Sequence, residues 1–411
     1  MFIDTRGYRA KWFGHGVETT SSSLELMREM KSIAMLFAFL VLTLGAPVEL
    51  IAQDDSPPVT EFKRLYASDS EFKRVVDLMF DNVHPLAGGS GNPWKGKTVD
   101  DLYPFLNEWF FFLPNTHDGL DRIAKFSFLF YKNPYGEKFI LEEPGKSWSL
   151  FFAEERGKYM DSPESTANLD AWLSDDSLGN EDFVLPPEGF KSFNEFFTRD
   201  LKPGARHVDD VGDDSIVSSP ADGVVNMIAN DLRMDTEIPT KGTMTLSLTR
   251  LLDDSKYSEK FIGGTALAVF LMPDNYHHYH APVSGVVVES KENVGDRLFG
   301  MPDMLGMVNE GNPGYGQDYS VIQDFRHGYF IIETHSFGLV AMVPIGLQTV
   351  GSVVFEEKFR DIGPGSAQQV YRGEKLGHFA YGGSTVLLMF EKGRMAAVSV
   401  QQGQRIGKMR N

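Results

Sequence analysis

The 411 residues carry a formal charge of −18, no cysteine, 42% hydrophobic and 12% aromatic residues. That length exceeds one ordinary core and predicts two domains plus a terminal extension, and the composition is that of an ordered globular chain. Nucleic acid is not an expected partner, because a phosphate backbone needs clustered Lys and Arg, and the charge also disfavours docking on an anionic membrane. The lack of cysteine excludes disulfides, thiolate nucleophiles and Cys-ligated zinc, and leaves the redox compartment open.

Arg28 and Lys31 precede an apolar run over residues 33–46, which ends in Pro47 and the polar Gln53-Asp54-Asp55-Ser56-Pro57-Pro58. A basic flank, a short apolar run and a polar exit predict a signal peptide or anchor within residues 1–53, with an upstream extension if the start is Met27 or Met30. The expected location is exported or membrane-associated. A buried helix in a cytoplasmic protein is the alternative.

From about Thr60 the pattern is helical. Phe72, Val75, Val76, Met79, Phe80 and Val83 fall on one helix face, with Ser68 to Ser70 as cap candidates. Aromatic clusters at Trp109-Phe110-Phe111-Phe112, near Phe126 to Tyr131 and near Trp148 to Phe152 extend this helical domain, predicted over residues 60–185, and read as core rather than membrane contact. An acidic, Pro-containing stretch over residues 175–187 reads as a linker. Beyond it, short apolar runs punctuated by Gly and Pro predict strands at 266–272, 285–289, 329–333, 339–344 and 386–390. The fold class is therefore α+β, with a mainly β domain over residues 190–411.

A weak repeat relates Pro220-Ala221-Asp222-Gly223-Val224-Val225 to Pro282-Val283-Ser284-Gly285-Val286-Val287, followed by Val294-Gly295-Asp296 and Arg372-Gly373-Glu374. These units resemble the barrel-sandwich of lipoyl and biotinyl domains, but the exposed Lys that carrier chemistry needs is missing.

Three segments carry chemistry. In Phe379-Ala380-Tyr381-Gly382-Gly383-Ser384-Thr385-Val386, two glycines meet a hydroxyl step just before an apolar strand. Gly-Gly permits backbone shapes closed to other residues, and a Gly383 carbonyl beside the Ser384 hydroxyl is what an N-to-O acyl shift requires; a plain turn is the alternative. In Asn275-Tyr276-His277-His278-Tyr279-His280-Ala281-Pro282, three histidines stand within four positions. Imidazole suits proton transfer near neutral pH, and no carboxylate spacing supports a metal site. The third segment, Ser219-Pro220-Ala221-Asp222-Gly223, is by itself an ordinary turn.

In order and spacing these segments resemble the phosphatidylserine decarboxylase family. The resemblance starts at Phe193-Asn194-Glu195-Phe196-Phe197-Thr198-Arg199 and Leu201-Lys202-Pro203-Gly204-Ala205-Arg206, includes Val350-Gly351-Ser352-Val353 and Lys375-Leu376-Gly377-His378-Phe379, and closes on Gly382-Gly383-Ser384-Thr385. It implies that Asp222 orients His280, that His280 takes the proton of Ser384, and that the chain cuts itself between Gly383 and Ser384. The products would be a β chain ending at 383 and an α chain of residues 384–411, held together without a covalent bond. Ser384 would become a covalent pyruvoyl cofactor, whose ketone condenses with the substrate amine and accepts the electrons left as carbon dioxide departs. His277 would assist decarboxylation or reprotonation, while His278 and His335 receive no role. The family is also compatible with a homodimer.

Two substrates are in question. Intact Ser-Pro-Ala-Asp-Gly and Gly-Gly-Ser-Thr motifs point to phosphatidylserine, giving phosphatidylethanolamine. The long helical extension and a Gly/Pro/Tyr-containing insertion over residues 300–327 look like the soluble branch that includes the fungal tryptophan decarboxylase of psilocybin synthesis, which acts on a free aromatic amino acid. Two further classes stand as alternatives: a serine hydrolase, disfavoured because Val386 occupies the place of the last Gly of a nucleophile elbow, and a non-catalytic barrel-sandwich module.

Overall fold

Helices α1 (Pro57–Ser68) and α2 (Ser70–Asp81) open the helical half in a computed structural model that describes residues 54–85, 91–113, 120–175, 178–234, 247–271, 275–295, 325–347, 352–380, 383–395, 398 and 402. The signal-like run over 33–46 and most of the 300–327 insertion lie outside these residues. Two prolines start α1, where a fixed φ and a missing N–H cost nothing. Asp69 caps α2 by accepting from the N–H groups of Glu71 and Phe72. As the spacing predicts, Phe72, Val75, Val76 and Met79 are buried; Phe80 is only partly so, and Val83 lies past the helix end.

Helices α3 (Val99–Phe111), α4 (Leu120–Phe130), α5 (Pro134–Leu141) and α6 (Gly145–Met160) complete an aromatic core. Phe62 packs edge-on against Phe72 and Trp148, whose indole N–H donates to the Pro58 carbonyl. Trp109 and Phe110 are buried here, as core residues should be. The Arg156 guanidinium donates to the carbonyls of Trp109, Phe110 and Phe112, placing a cation where the end of α3 leaves its acceptors free.

A second, smaller core joins Leu113 and Met160 to α7 (Leu169–Leu173) and α8 (Phe193–Phe197) through Trp172, Phe193, Phe196 and Phe197. The stretch expected as a linker is anchored: Asn180–Asp182 forms a 3-10 turn, and buried Phe183 bridges Leu201.

The remaining elements are almost all strands: β1 (Val224–Asn230), β2 (Thr265–Leu271), β3 (His278–His280), β4 (Gly285–Val294), β5 (His327–Glu333), β6 (Leu339–Leu347), β7 (Val353–Phe355), β8 (Gln368–Val370), β9 (Lys375–Phe379) and β10 (Gly383–Phe390), with a short helix α9 (Leu248–Leu251). They form a seven-stranded sheet, ordered β1-β2-β10-β6-β5-β4-β8, and a three-stranded sheet, ordered β3-β9-β7.

β10 shows how the sheets are packed. Leu387 and Met389 enter the core on one face of the large sheet, while Val386, Leu388 and Phe390 enter the core shared with the small sheet. A strand buried on both faces must be largely apolar, and from Val386 to Phe390 this one is.

The repeat has a structural counterpart. Gly223 lies against the carbonyl of Phe270 on β2, and Gly285 against the carbonyl of Glu333 on β5, so closely that a Cβ at either would fall 2.4 or 2.3 Å from the oxygen. Gly295 and Gly373, at the paired later turns, both have positive φ.

Candidate active site

Ser384 is the second residue of β10, held between Leu271 of β2 and Gly346 of β6. Gly383 and Ser384 are thus strand rather than turn, because a strand flanks them on each side. Side chains alternate along a strand, so Ser384 faces the small sheet with Val386 and Leu388, and Thr385 faces the other way, donating to the Val269 carbonyl. Ser384 has no exposed surface.

The group that meets its hydroxyl is His277, whose Nδ1 lies 3.4 Å from Oγ. His277 just precedes β3 and is also fully buried; its carbonyl accepts from the Phe379 N–H, and its ring stacks on Phe197 of α8 with centroids 3.9 Å apart. α8 therefore meets the site through this aromatic ring.

His280 is placed differently. Its Nδ1 lies 2.8 Å from the Gly373 carbonyl and its Nε2 lies 3.1 Å from the Tyr276 hydroxyl. A carbonyl can only accept, so Nδ1 carries the hydrogen and Nε2 presents its lone pair to the tyrosine O–H. Burial holds this imidazole below its ordinary pKa; the bond to Gly373 opposes the shift, Lys375 adds to it, and Asp222 and Asp200 oppose it.

Asp222 accepts from Arg206, with Nε at 3.2 Å from Oδ1 and Nη2 at 2.8 Å from Oδ2. The contacts expected to run from Asp222 through His280 to Ser384 are therefore replaced by three separate sets: Asp222 with Arg206, His280 with Tyr276 and Gly373, and Ser384 with His277. The reason is local. A guanidinium offers the carboxylate two charge-assisted bonds where an imidazole offers one, and a bulge between Tyr279 and His280 shifts the β3–β9 register just before His280. Asp222 nevertheless stays beside His280, because the His280 N–H donates to Pro220 at 2.8 Å.

His278 donates from Nε2 to the Thr198 carbonyl and stacks on Tyr276, while its Nδ1 is buried without a partner. His335 sits exposed on the β5–β6 turn, and Ser384 pairs with the opposite end of β6. Arg206, Tyr276, Phe197 and Gly373 were not singled out by sequence reasoning. All four lay inside quoted segments, but nothing in their spacing showed what they would touch.

A cleft of about 570 Å³ opens between α6, α8 and the small sheet, lined by Lys158, Glu195, Thr198, Ser352, His378 and Ala380 among others. Among the described residues, no group of His and carboxylates is arranged to hold a metal ion, and no helix is long and apolar enough to cross a membrane.

Comparison with known proteins places these residues in context. A family model described as phosphatidylserine decarboxylase matches residues 193–409, from the first residue of α8 onward, and so includes Arg206, Asp222, His277, His280 and Ser384. The chain is similar to the phosphatidylserine decarboxylase proenzyme of Fusobacterium nucleatum, at 30% identity over 268 residues, covering 65% of this chain and 81% of that protein. The proenzyme of Clostridium novyi is 31% identical over 278 residues, covering 67% and 86%. Phosphatidylserine decarboxylase proenzyme 2 of Oryza sativa is 34% identical over 243 residues, covering 58% and 36%.

Proposed function

Because the chain belongs to the phosphatidylserine decarboxylase family of carboxy-lyases, we propose that it cuts itself between Gly383 and Ser384 and then converts phosphatidylserine to phosphatidylethanolamine and carbon dioxide. The observation that carries this reading is a fully buried Ser384 at the head of a central strand, with an imidazole nitrogen 3.4 Å from its Oγ. The relatives are named for the lipid substrate, which favours it over a tryptophan-type amino acid.

In the cleavage, Ser384 Oγ bonds to the Gly383 carbonyl carbon as the Gly383–Ser384 C–N bond breaks, so the peptide becomes an ester. Loss of the Ser384 Cα proton then expels the Gly383 carboxylate, and water replaces the nitrogen of residue 384, which leaves as ammonia. His280 suits the role of proton acceptor: it is neutral, its lone pair is on Nε2, and the Asp222 charge favours its protonated form. To act, Nε2 exchanges the Tyr276 hydroxyl for that of Ser384. A second reading, in which His277 takes the cleavage proton, is favoured by its proximity to Oγ.

Position 384 fits a pyruvoyl group, being dry, at the start of a strand and next to an imidazole. Such a group supplies a ketone that binds the substrate amine and draws off the electrons released with carbon dioxide. His277 is positioned to hold or deliver a proton at residue 384, and Phe197 fixes the plane of its ring.

Denaturing electrophoresis of the purified protein should give two chains, and Ser384→Ala should give one. A single uncut wild-type chain sinks the proposal. His277→Ala separates the two readings: cut but inactive if His280 is the cleavage base, uncut if His277 is. Product analysis with phosphatidylserine and tryptophan side by side should show ethanolamine lipid alone.

A further inference from the structure

The segment Lys202-Pro203-Gly204-Ala205 has the type II turn pattern, with Pro second, Gly third at φ 83°, and the Ala205 N–H donating to Lys202 at 3.0 Å. This turn delivers Arg206, all three of whose guanidinium nitrogens are engaged. Nε and Nη2 grip Asp222, while Nη1 donates to Asp182 at 2.6 Å and to the Ala205 carbonyl at 3.0 Å. Asp182 closes the 3-10 turn after the helices, and its strip of chain is stapled to the next by bonds from Lys202 N–H to Asp182 and from Val184 N–H to Asp200, both 2.8 Å.

We propose that Arg206 is a positioning residue for self-cleavage: it fixes the Asp222 carboxylate beside His280 and ties it to the end of the helical half through Asp182. This rests on the reading in which His280 and Asp222 serve the cleavage. Arg206 and both aspartates are part-exposed, so the pairs add little to stability. Their consequence is orientation. A carboxylate gripped at both oxygens cannot rotate, and its field falls on a fixed point.

The charged groups that face His280 are Asp222 before β1, Asp200 after α8 and Lys375 on β9; the neutral Tyr276 hydroxyl beside it feels both Asp222 and Arg206. Lys375 is neutralised in part by its bond to Asp200 at 3.0 Å. Arg206 and Asp222 are therefore the pair whose charges act on Tyr276 in opposite senses, and Asp222 also favours the charged form of His280.

The test uses the full chain. Cleavage time courses are compared for wild type, Arg206→Ala, Arg206→Lys and Asp182→Asn, and the His280 ring is titrated by histidine-selective NMR in the uncleaved Ser384→Ala background. Loss of a fixed orientation at a reacting group should slow Arg206→Ala about tenfold, with Arg206→Lys intermediate. Removing the cation should move the His280 titration up, and Asp222→Asn should move it down. A purely structural role would lower the yield of folded protein and leave the titration in place. If Arg206→Ala does not fold, Arg206→Lys and Asp182→Asn carry the test, and wild-type rates with an unmoved titration in both overturn the inference. A wild-type chain that never cleaves condemns the function reading instead.

Discussion

His278 is an imidazole kept neutral by its surroundings. Its one hydrogen is committed to the Thr198 carbonyl, its other nitrogen is buried without a donor, and burial pushes its pKa from 6.5 down to about 3. The unfolded chain would bind a proton there near pH 6.5, but the folded chain would not until about pH 3. Between those values the unfolded state holds more protons, so stability is complete above pH 6.5 and falls on acidification, by about 1.4 kcal/mol per pH unit once the group is fully charged when unfolded. His280 and His378 are lowered by burial as well and act in the same direction. Urea unfolding of uncleaved Ser384→Ala protein between pH 7 and pH 5 should therefore show a steep loss, and an added His278→Gln should lessen the slope. Equal slopes would show that His278 does not contribute. The tight histidine cluster in the sequence announced chemistry, but its division of labour was hidden. Which ring meets Ser384 depends on the β3–β9 bulge and on Phe197, both of which are tertiary facts.

Among elements, the strands with the longest apolar runs were the most legible. The runs predicted at 266–272, 329–333, 339–344 and 386–390 match β2, β5, β6 and β10 to within three residues at each end, and 285–289 gives the first half of β4. β3, β8 and β9 were missed because three to five residues containing His, Gln or Lys carry no period to read, β7 because three residues are too few, and β1 because Asn226 and Asn230 interrupt its apolar residues. Gly383 and Ser384 looked like a turn by composition and became strand through pairing with β2 and β6, which is tertiary context overriding local preference. The repeat was legible because its glycines do the same work twice. Each lets a strand pass against a neighbouring backbone carbonyl that cannot move aside. Gly223→Ala and Gly285→Ala should each cost about 1–3 kcal/mol, whereas Gly212→Ala, with nothing within 4 Å, should be near neutral. Thermal unfolding of the three variants checks this, and equal melting temperatures would refute the close approach.

For the whole molecule, the proposed cut raises the question of what keeps the two products together. The break between Gly383 and Ser384 would fall after the first residue of β10, and would leave the pairing of residues 384–390 with β2 and β6 in place. Val386, Leu387, Leu388, Met389 and Phe390 are all buried, on two faces, in two cores. At about 1.5–3 kcal/mol per side chain they contribute roughly 10 kcal/mol, before any hydrogen bond is counted, to set against the freedom a separate chain would regain. Residues 384–411 should therefore co-elute with the larger chain in native gel filtration and after prolonged dialysis, and separate only in strong denaturant. A Leu387→Asp change places an unpaired charge in the core opposite the small sheet, so any cleaved variant should shed the small chain without denaturant. If the wild-type small chain is lost in native buffer, the two-sided burial of β10 is not what holds the products, and the central place of that strand in the sheet loses its functional meaning.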